Sequence, residues 1–275
     1  MVAEPRTHVV DAQGGGQFTT VGAAIKAASP EDRILVRPGR YEESLLIDQP
    51  LQIVGDGPRA QIEIRALDTD VLVSHAPTGW VANLTFMQGK SDHYYGVDIR
   101  KGNLVIEECE IISRAGSCVY IRNQSDPVLR RNLIYGATAH GVVVYDGGRG
   151  TIEENEISGC SNSCVAVYSG GDPVVRRNVI RDGTDCGVWV HKEGRGTFED
   201  NEISGNRMAG VYIQSGGNAT FRRNKINRNA WHAVDIRDTG GGTFEDNDLT
   251  GNSRGPWYFT DKVDMSRVTR LRNTP

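Results

Sequence analysis

The sequence predicts an all-β chain that folds as a single-stranded right-handed parallel β-helix, a solenoid of 23-residue coils with a short N-terminal capping helix. Three observations predict this fold. An asparagine recurs every 23 residues, apolar residues recur at the same interval in pairs spaced by two, and glycine-rich segments separate them. A spacing of two is that of a strand with one face on a core. One such unit is too small to bury its apolar face alone, so the units must stack.

Residues 1–30 are predicted to form an N-terminal cap. Thr20 can serve as the N-cap of a short amphipathic helix. The apolar residues at helical spacing are Val21, Ala24, Ile25 and Ala28. A solenoid exposes an open core at each end, and a helix over the first coil would cover it.

Residues 31–100 are predicted to form irregular first coils, because their apolar runs are typical of strands but vary in spacing. These runs are 34–36, 45–47, 51–54, 62–64, 71–73 and 81–86.

Residues 101–259 are predicted to form regular coils. The asparagine row comprises Asn132, Asn155, Asn178, Asn201, Asn224 and Asn247, with Cys109 one coil earlier. Stacked coils bring such side chains to within about 4.8 Å, so we expect an internal amide ladder. Four apolar rows, which begin at Ile106, Ile111, Val119 and Ile121, are expected to fill the core.

The two residues before each asparagine position alternate in charge from coil to coil. They are Glu107-Glu108, Arg130-Arg131, Glu153-Glu154, Arg176-Arg177, Glu199-Asp200, Arg222-Arg223 and Glu245-Asp246. In an in-register stack this order places opposite charges beside each other, so that the repeating unit is a pair of coils, 46 residues long. These charged residues are therefore expected to be structural.

The C-terminal end departs from the repeat. Trp257 and Phe259 continue the strand rows, whereas residues 260–275 are predicted to form a cap or a tail. The chain as a whole, residues 1–275, is expected to be one β-helix domain, and further domains of a larger polypeptide stay open.

Composition restricts the setting of the chain. The 31 basic and 35 acidic residues are interleaved, which gives no electrostatic argument for a nucleic-acid partner. No apolar stretch is long enough to span a membrane and no secretory signal is visible, so a cytoplasmic location is expected. The five cysteines are expected to be reduced thiols in or beside the core; they are Cys109, Cys118, Cys160, Cys164 and Cys186.

The coils at residues 187–203 and 210–226 resemble those of the pectate-lyase-like β-helix superfamily. Within it, the resemblance is to the β-helix of a group of F-box proteins, the substrate receptors of ubiquitin ligases, and their bacterial relatives. It covers residues 18–250. The segment that starts at Gly39 and the Gly55-Asp-Gly turn resemble motifs that open many such helices, including those of pectin esterases. The superfamily contains lyases, hydrolases, esterases, epimerases and non-enzymatic scaffolds, so the resemblance implies the fold and leaves the activity open.

The candidate binding surface is the outward side of the strands between the Val119 and Ile121 rows. One outward row is Asp98, Tyr120, Val143, Ala166, Trp189, Tyr212 and Asp235. The next row, with the first coil one residue short, is Arg100, Arg122, Tyr145, Tyr168, His191, Gln214 and Arg237. The predicted binding residues are Tyr120, Arg122, Tyr145, Tyr168, Trp189, His191, Tyr212, Asp235 and Arg237. Exposed aromatic and arginine residues of this kind are favoured at interfaces, although aromatic residues also suit strands and the C-terminal tail could cover them.

An enzyme of this fold needs converging acidic groups, and the sequence indicates none. Asp98 and Asp235 stand at opposite ends of the face, and His140 and His232 are four coils apart, roughly 19 Å at the spacing of parallel strands. His191 is the one histidine singled out for a test, and the segment Asp92-His93-Tyr94-Tyr95 is a weaker candidate.

The expected function is a non-catalytic recognition scaffold that binds a peptide or protein segment. The alternative is a carbohydrate-active enzyme, a polysaccharide lyase or glycoside hydrolase, or a carbohydrate-binding module that uses the same face. A structural spacer within a larger polypeptide is the third reading. Catalytic residues are left unassigned, and neither a metal nor another cofactor is expected.

Overall fold

The computed structural model describes residues 4–89 and 94–275. Within them the backbone winds as a right-handed parallel β-solenoid with three sheets of twelve, nine and ten strands. Each strand pairs in parallel with the strands of the neighbouring coils, and in the regular coils the register is 23 residues, as between Phe198 and Phe221. The predicted fold class is confirmed.

The three sheets run along the solenoid. Sheet 1 comprises Thr7–Val10, Arg33–Val36, Gln52–Gly55, Thr78–Ala82, Asn103–Glu107, Val128–Arg130, Thr151–Glu153, Val174–Arg176, Thr197–Glu199, Asn218–Arg222, Gly241–Glu245 and Val268–Leu271. Sheet 2 comprises Gly39–Glu42, Ile62–Ala66, Thr85–Gln88, Glu110–Ser113, Leu133–Tyr135, Glu156–Ser158, Val179–Arg181, Glu202–Ser204 and Lys225–Asn227. Sheet 3 comprises Leu45–Ile47, Leu72–Ser74, Val97–Ile99, Val119–Ile121, Val142–Val144, Val165–Tyr168, Val188–His191, Val211–Ile213, Val234–Ile236 and Trp257–Phe259. Outside the sheets, the described residues form the α-helix Val21–Ala27 and the 3-10 turns Arg59–Gln61 and Met265–Arg267.

The predicted capping helix is present as Val21–Ala27. Its N-cap is Thr20, whose hydroxyl accepts a hydrogen bond from the Ala23 backbone N–H at 3.3 Å. Its buried face packs on the first coils. The strand Thr7–Val10, which pairs with Arg33–Val36, was not anticipated from the sequence.

The irregular first coils contain strands at each of the predicted apolar runs. The run 81–86 is split between Thr78–Ala82 and Thr85–Gln88, because Asn83 adopts a left-handed backbone with φ of 59°. The turn that Asn83 makes lies against Gly55. A Cβ at Gly55 would lie 2.0 Å from the Asn83 carbonyl oxygen, so only glycine fits there.

The asparagine ladder forms as predicted and is fully hydrogen-bonded. The Asn155 backbone N–H and side-chain amide both donate to Asn178 Oδ1, at 2.9 and 3.0 Å. Asn178 in turn donates to the Ile152 carbonyl at 2.8 Å. The ladder continues to Asn273, which accepts from the Asn247 amide at 2.8 Å. A second ladder, which the sequence analysis did not identify, links Asn206, Asn229 and Asn252 in the turn between sheets 2 and 3.

The charged pairs beside the ladder also meet across coils. Arg176 Nη2 and Arg177 Nη2 lie 2.8 and 2.9 Å from Glu153 Oε2. Arg222 bridges both neighbouring acidic coils through Glu199 and Glu245, at 3.6 and 3.2 Å. Among the described residues, Glu153 forms ion pairs with arginines of the following coil and with none of the preceding coil. Ion pairs to both neighbouring coils therefore form only toward the C-terminal end. All five cysteines are free and buried, as expected.

The C-terminal segment completes a further coil. Val268–Leu271 pairs with Gly241–Glu245 in sheet 1, and the Arg270 guanidinium lies 5.5 Å from the Trp257 ring centroid. These contacts leave the outward side of sheet 3 uncovered, so the tail does not shield the aromatic residues there. Across residues 4–89 and 94–275, no helix has the length and apolarity needed to cross a membrane.

Asp32 ties the N-terminal strand to the first coils and introduces a pH dependence. Its carboxylate accepts hydrogen bonds from the Arg6 and Ser29 backbone N–H groups at 2.7 and 2.9 Å and contacts His8 Nε2 at 2.9 Å. These bonds, the one from Arg6 first, lower the pKa of Asp32 to about 2. The unfolded value is roughly 3.9, so the stabilisation is present above about pH 4 and is lost as the pH falls toward the folded value.

We expect the amide signals of Thr7–Val10 in NMR spectra to weaken as the pH falls from about 4 to 2. In an Asp32→Asn variant the same strand should be destabilised at every pH, with no titration in this range. Asp48→Asn is the matched control, because Asp48 is exposed on the same end of the solenoid. Identical pH profiles for the wild type and the Asp32→Asn variant would contradict the assignment.

Candidate functional site

The outward side of sheet 3 carries the predicted aromatic residues in two rows. The strand register aligns Asp98, Tyr120, Val143, Ala166, Trp189, Tyr212, Asp235 and Tyr258. In the second row Tyr168 aligns with His191. Ile99 aligns with Ile121, 22 residues later, so the first of these coils is one residue shorter than the others, as predicted. We use the term aromatic face for Tyr95, Tyr120, Tyr145, Tyr168, Trp189, His191 and Tyr212.

The rings of the aromatic face are in continuous contact along the solenoid axis. Tyr95 stacks on Tyr120 with ring centroids 4.0 Å apart, and Trp189 stacks on His191 at 3.8 Å. The intervening contacts, through Tyr145 and Tyr168, have centroid distances between 4.8 and 5.4 Å. Six coils contribute, so the strip is about 24 Å long at roughly 4.8 Å per coil.

The aromatic face is less exposed to solvent than the sequence pattern predicts. Val143 and Ala166 are fully buried, and Asp235 and His191 are only 2% and 6% exposed. The cause is side-chain length, because the Tyr120 and Tyr168 hydroxyls meet at 3.0 Å across two coils. The remaining predicted binding residues are half-buried.

Two carboxylates converge at the N-terminal end of the face, contrary to the expectation that acidic residues would stay apart. The Arg100 guanidinium contacts Asp98 Oδ2 at 2.6 Å and Asp70 Oδ2 at 3.2 Å. Arg122 binds both oxygens of Asp98, at 3.0 and 2.5 Å. Asp70 also accepts a hydrogen bond from the Tyr95 backbone N–H at 2.8 Å. The carboxylates are therefore joined through arginine.

At the C-terminal end the same pairing recurs beside a cavity. Arg237 binds Asp235 through two bonds of 2.9 Å, and its guanidinium lies 5.4 Å from the Tyr212 ring centroid. The adjacent cavity has a volume of about 210 Å³. Its lining residues are Asp185, Cys186, Met208, Ala209, Tyr212, Trp231, Asp235 and Arg237. We call this cavity the anchor pocket.

Electrostatics on the face do not favour proton transfer at neutral pH. Burial lowers the pKa of His191 to about 4, so its imidazole is neutral and a weak base. Burial raises the pKa values of Tyr95, Tyr120 and Tyr168, which stay protonated. Although burial alone lowers the pKa of Arg122, its hydrogen bonds with Asp98 and Tyr145 raise it above the ordinary value. Burial raises the pKa of Asp70, although the hydrogen bond from the Tyr95 N–H and the charges of Arg100 and Arg122 oppose this rise. The face therefore combines ion pairs with neutral rings.

Two buried nitrogen atoms on the face lack a hydrogen-bond partner among the described residues. They are Trp189 Nε1 and His191 Nε2, in the stacked pair at the centre of the strip. A buried polar group without a partner costs about 1–3 kcal/mol. Such groups are rare in folded proteins, so this pair marks the centre of the strip as a place that packing alone does not explain.

The remaining candidate residues give no cluster of metal ligands in the part of the chain that the structure describes. In residues 4–89 and 94–275, no group of three or more His, Cys, Asp or Glu side chains is placed to hold a metal ion. His140 lies beside the aromatic face, with its ring centroid 6.0 Å from that of Trp189. His232 stacks on Tyr258, with ring centroids 5.2 Å apart. Asp92 and His93 lie outside the described residues.

Several site residues were not predicted from the sequence. Asp70 precedes the regular repeat and carries no periodic signal, whereas Tyr95 was named only within the weaker candidate segment and not as part of the aromatic face. The anchor-pocket residues Asp185, Met208 and Trp231 do share a row, each 23 residues from the next. That row lies in the turn between sheets 2 and 3, and only its proximity to Tyr212 makes it part of a site.

The fold and this face define a class: right-handed β-solenoid proteins with an aromatic strip on the outward side of one sheet. A family model described as right handed beta helix region matches residues 68–179 and 117–268. The chain belongs to this family.

One curated relative matches part of the chain, and several solved structures share its fold. The chain is 36% identical over 75 residues to F-box only protein 10 of Mus musculus; the match covers 26% of this chain and only 8% of the mouse protein. An alginate lyase from Paenibacillus superposes with a TM-score of 0.68 at 15% identity, covering 94% of this chain and 99% of the lyase. The A-module of a mannuronan C-5 epimerase from Azotobacter vinelandii gives 0.69 at 18% identity, with coverages of 88% and 74%. At these identities the structural likeness shows the fold alone.

Proposed function

We propose that this protein is a recognition scaffold that binds an extended peptide or protein segment along the aromatic face. The observation that carries the proposal is the continuous strip of half-buried rings from Tyr95 to Tyr212, in which the charged groups are already paired. Preformed aromatic and arginine surfaces bind with little loss of side-chain entropy. A strip about 24 Å long accommodates roughly seven residues of extended chain at about 3.3 Å each.

Three further features support binding rather than bond cleavage. The carboxylates that converge, Asp70 and Asp98, are joined through Arg100, and both oxygens of Asp98 are also held by Arg122, which keeps Asp98 in its charged form. The Trp189 and His191 nitrogens have no hydrogen-bond partner among the described residues, so a ligand that supplied one would be favoured. The match to part of F-box only protein 10 agrees with the resemblance of the coils to the β-helix of F-box substrate receptors, which supports the same choice.

Carbohydrate binding is the second candidate. It is favoured by the fold of the alginate lyase and the epimerase module and by the stacked rings, which can pack against sugars. Polyuronates are anionic, however, and a face whose arginines are neutralised by Asp98 and Asp235 attracts them weakly.

The test is selection of ligands from a random peptide display library on the purified protein. We expect Trp189→Ala to weaken binding of a selected peptide about thirtyfold, the loss of one aromatic hot spot. Tyr135→Ala is the matched control, because Tyr135 is an exposed aromatic residue on sheet 2. Incubation with alginate and pectate, with and without calcium, completes the test. Unsaturated or reducing-end products, or equal binding by the Trp189→Ala and Tyr135→Ala variants, would overturn the proposal.

A further inference from the structure

The anchor pocket is a cavity created by a change of side-chain size along one turn row. His140, Ser163, Cys186, Ala209 and His232 occupy equivalent positions in successive coils. Ser163, Cys186 and Ala209 have short side chains between the two histidines, and Cys186 and Ala209, which are 1% and 2% exposed, line the floor of the pocket. The pocket therefore opens between two coils, and the histidine positions of the row lie on either side of it.

The walls combine apolar and aromatic groups. Met208 and Trp231 follow each other in the turn ladder, in which the Trp231 backbone N–H donates to the Met208 carbonyl at 3.2 Å. Tyr212 closes the side toward the aromatic face. The Trp231 ring already holds a cation, because the Arg254 guanidinium lies 4.3 Å from its centroid. Such walls suit the methylene stem of a long side chain.

Among the lining residues the charge balance is negative, and the Arg254 guanidinium on the Trp231 ring is not part of the lining. Asp235 and Arg237 neutralise each other through their two bonds of 2.9 Å. Asp185 is half-buried at the pocket, and its carboxylate has no ion pair among the described residues. Burial lowers the pKa of the neighbouring His232, which is neutral at pH 7. The unpaired charge facing the cavity is thus that of Asp185.

We propose that the anchor pocket binds a basic side chain, lysine or arginine, of the segment on the aromatic face, with the aliphatic stem against Met208 and Trp231 and the cation at Asp185. The peptide context rests on the proposed function. The chemistry of the pocket is independent of it and can be tested with small probes.

The probes are n-butylammonium, butylguanidinium, 1-pentanol and pentanoate, titrated into the full chain and followed by the Trp231 indole N–H signal in NMR spectra. The signal is assigned with a Trp231→Phe variant. We expect saturable shifts with both cations, affinities about fivefold higher than that of 1-pentanol, and the weakest binding for pentanoate. The ratio between the two cations distinguishes lysine from arginine as the preferred residue.

Asp185→Asn keeps the shape of the side chain and removes its charge, and it should abolish the preference for cations over 1-pentanol. Asp172→Asn is the matched control, an exposed aspartate on another turn, and should retain the preference. Binding of pentanoate as tight as that of butylammonium, absence of cation binding, or an unchanged preference in Asp185→Asn would overturn the proposal. If the cations bind but the display library yields no binding peptide, the proposed function is refuted and the proposal for the anchor pocket is not. If peptides bind but the cations do not, the proposal for the anchor pocket is refuted and the proposed function is not.

Discussion

Replacing Asn178 by alanine is expected to lower the free energy of unfolding by about 4 kcal/mol, the sum of several lost buried hydrogen bonds at about 1–3 kcal/mol for each group left unsatisfied. The truncation removes the acceptor of the Asn155 backbone and side-chain N–H groups. It also removes the donor to the Ile152 carbonyl and to Asn201 Oδ1, at 2.8 and 3.0 Å. All of these groups are buried, so water cannot replace the lost partner without opening the coil.

Urea unfolding followed by circular dichroism measures the loss. Asn218→Ala is the matched control, because Asn218 is exposed and its replacement should change stability by less than about 0.5 kcal/mol. Hydrogen exchange adds a local measurement, since solenoid coils interact mainly with their neighbours and can open locally. Amides of the coils next to Asn178 should lose protection first. A cost no larger than that of Asn218→Ala would show that the ladder does not hold the coils together.

The regular coils could be predicted because their period fixes the register without knowledge of any distant contact. Once Asn155 and Asn178 are aligned, every other row of the coil follows, including the buried Phe198 and Phe221. The strands of the early coils could be located from the sequence, but the residues that align between neighbouring coils could not be predicted. Asp70 and Asp98 are 28 residues apart and Tyr95 and Tyr120 are 25 apart, so no fixed interval predicts that they meet.

Turn conformation was the least predictable part of the regular coils. The residue before each ladder position is left-handed, with φ between 52° and 56°. These residues are Glu108, Arg131, Glu154, Arg177, Asp200, Arg223, Asp246 and Arg272. Glutamate and arginine rarely adopt this backbone, which costs about 1–2 kcal/mol, so local preference argues against it. The turn forms because the following asparagine binds the backbone across coils, a contact that propensity alone does not include.

The residues of the aromatic face were largely predictable from the sequence, whereas the degree to which each side chain is buried was not. Register alone places Val143 and Ala166 on the outward side of sheet 3. Whether an outward residue is exposed depends on the reach of its neighbours, and Tyr120 and Tyr168 are long enough to meet over two coils. The anchor pocket was missed for the same reason, because a cavity results from the sizes of several neighbouring side chains in different rows.

Replacing Asp98 by asparagine is expected to destabilise the chain by about 3 kcal/mol, at the lower end of the range for breaking a buried ion pair because the arginines are partly solvated. Asp98 is fully buried, whereas the Arg100 and Arg122 side chains are 33% and 23% exposed. Asparagine keeps the size of the side chain but leaves two guanidinium groups with only Asp70 as a carboxylate partner in this cluster. Arg122 also holds the Tyr145 hydroxyl at 3.2 Å, so the loss should reach the aromatic face.

A double-mutant cycle separates the ion pair from the shape of the site. We expect Asp98→Asn and Arg122→Gln to show a coupling energy of about 2 kcal/mol in urea unfolding, because each removes the same buried interaction. Asp126→Asn, an exposed aspartate on the next turn, should be neutral to within about 0.5 kcal/mol. A structural role predicts that peptide binding by the Asp98→Asn variant is recovered at low temperature, where the face is folded. If Asp98 were a catalytic acid or base, the wild type would have a chemical activity that the folded Asp98→Asn variant lacks. Because both Asp98 oxygens are held by arginine, we expect no such activity.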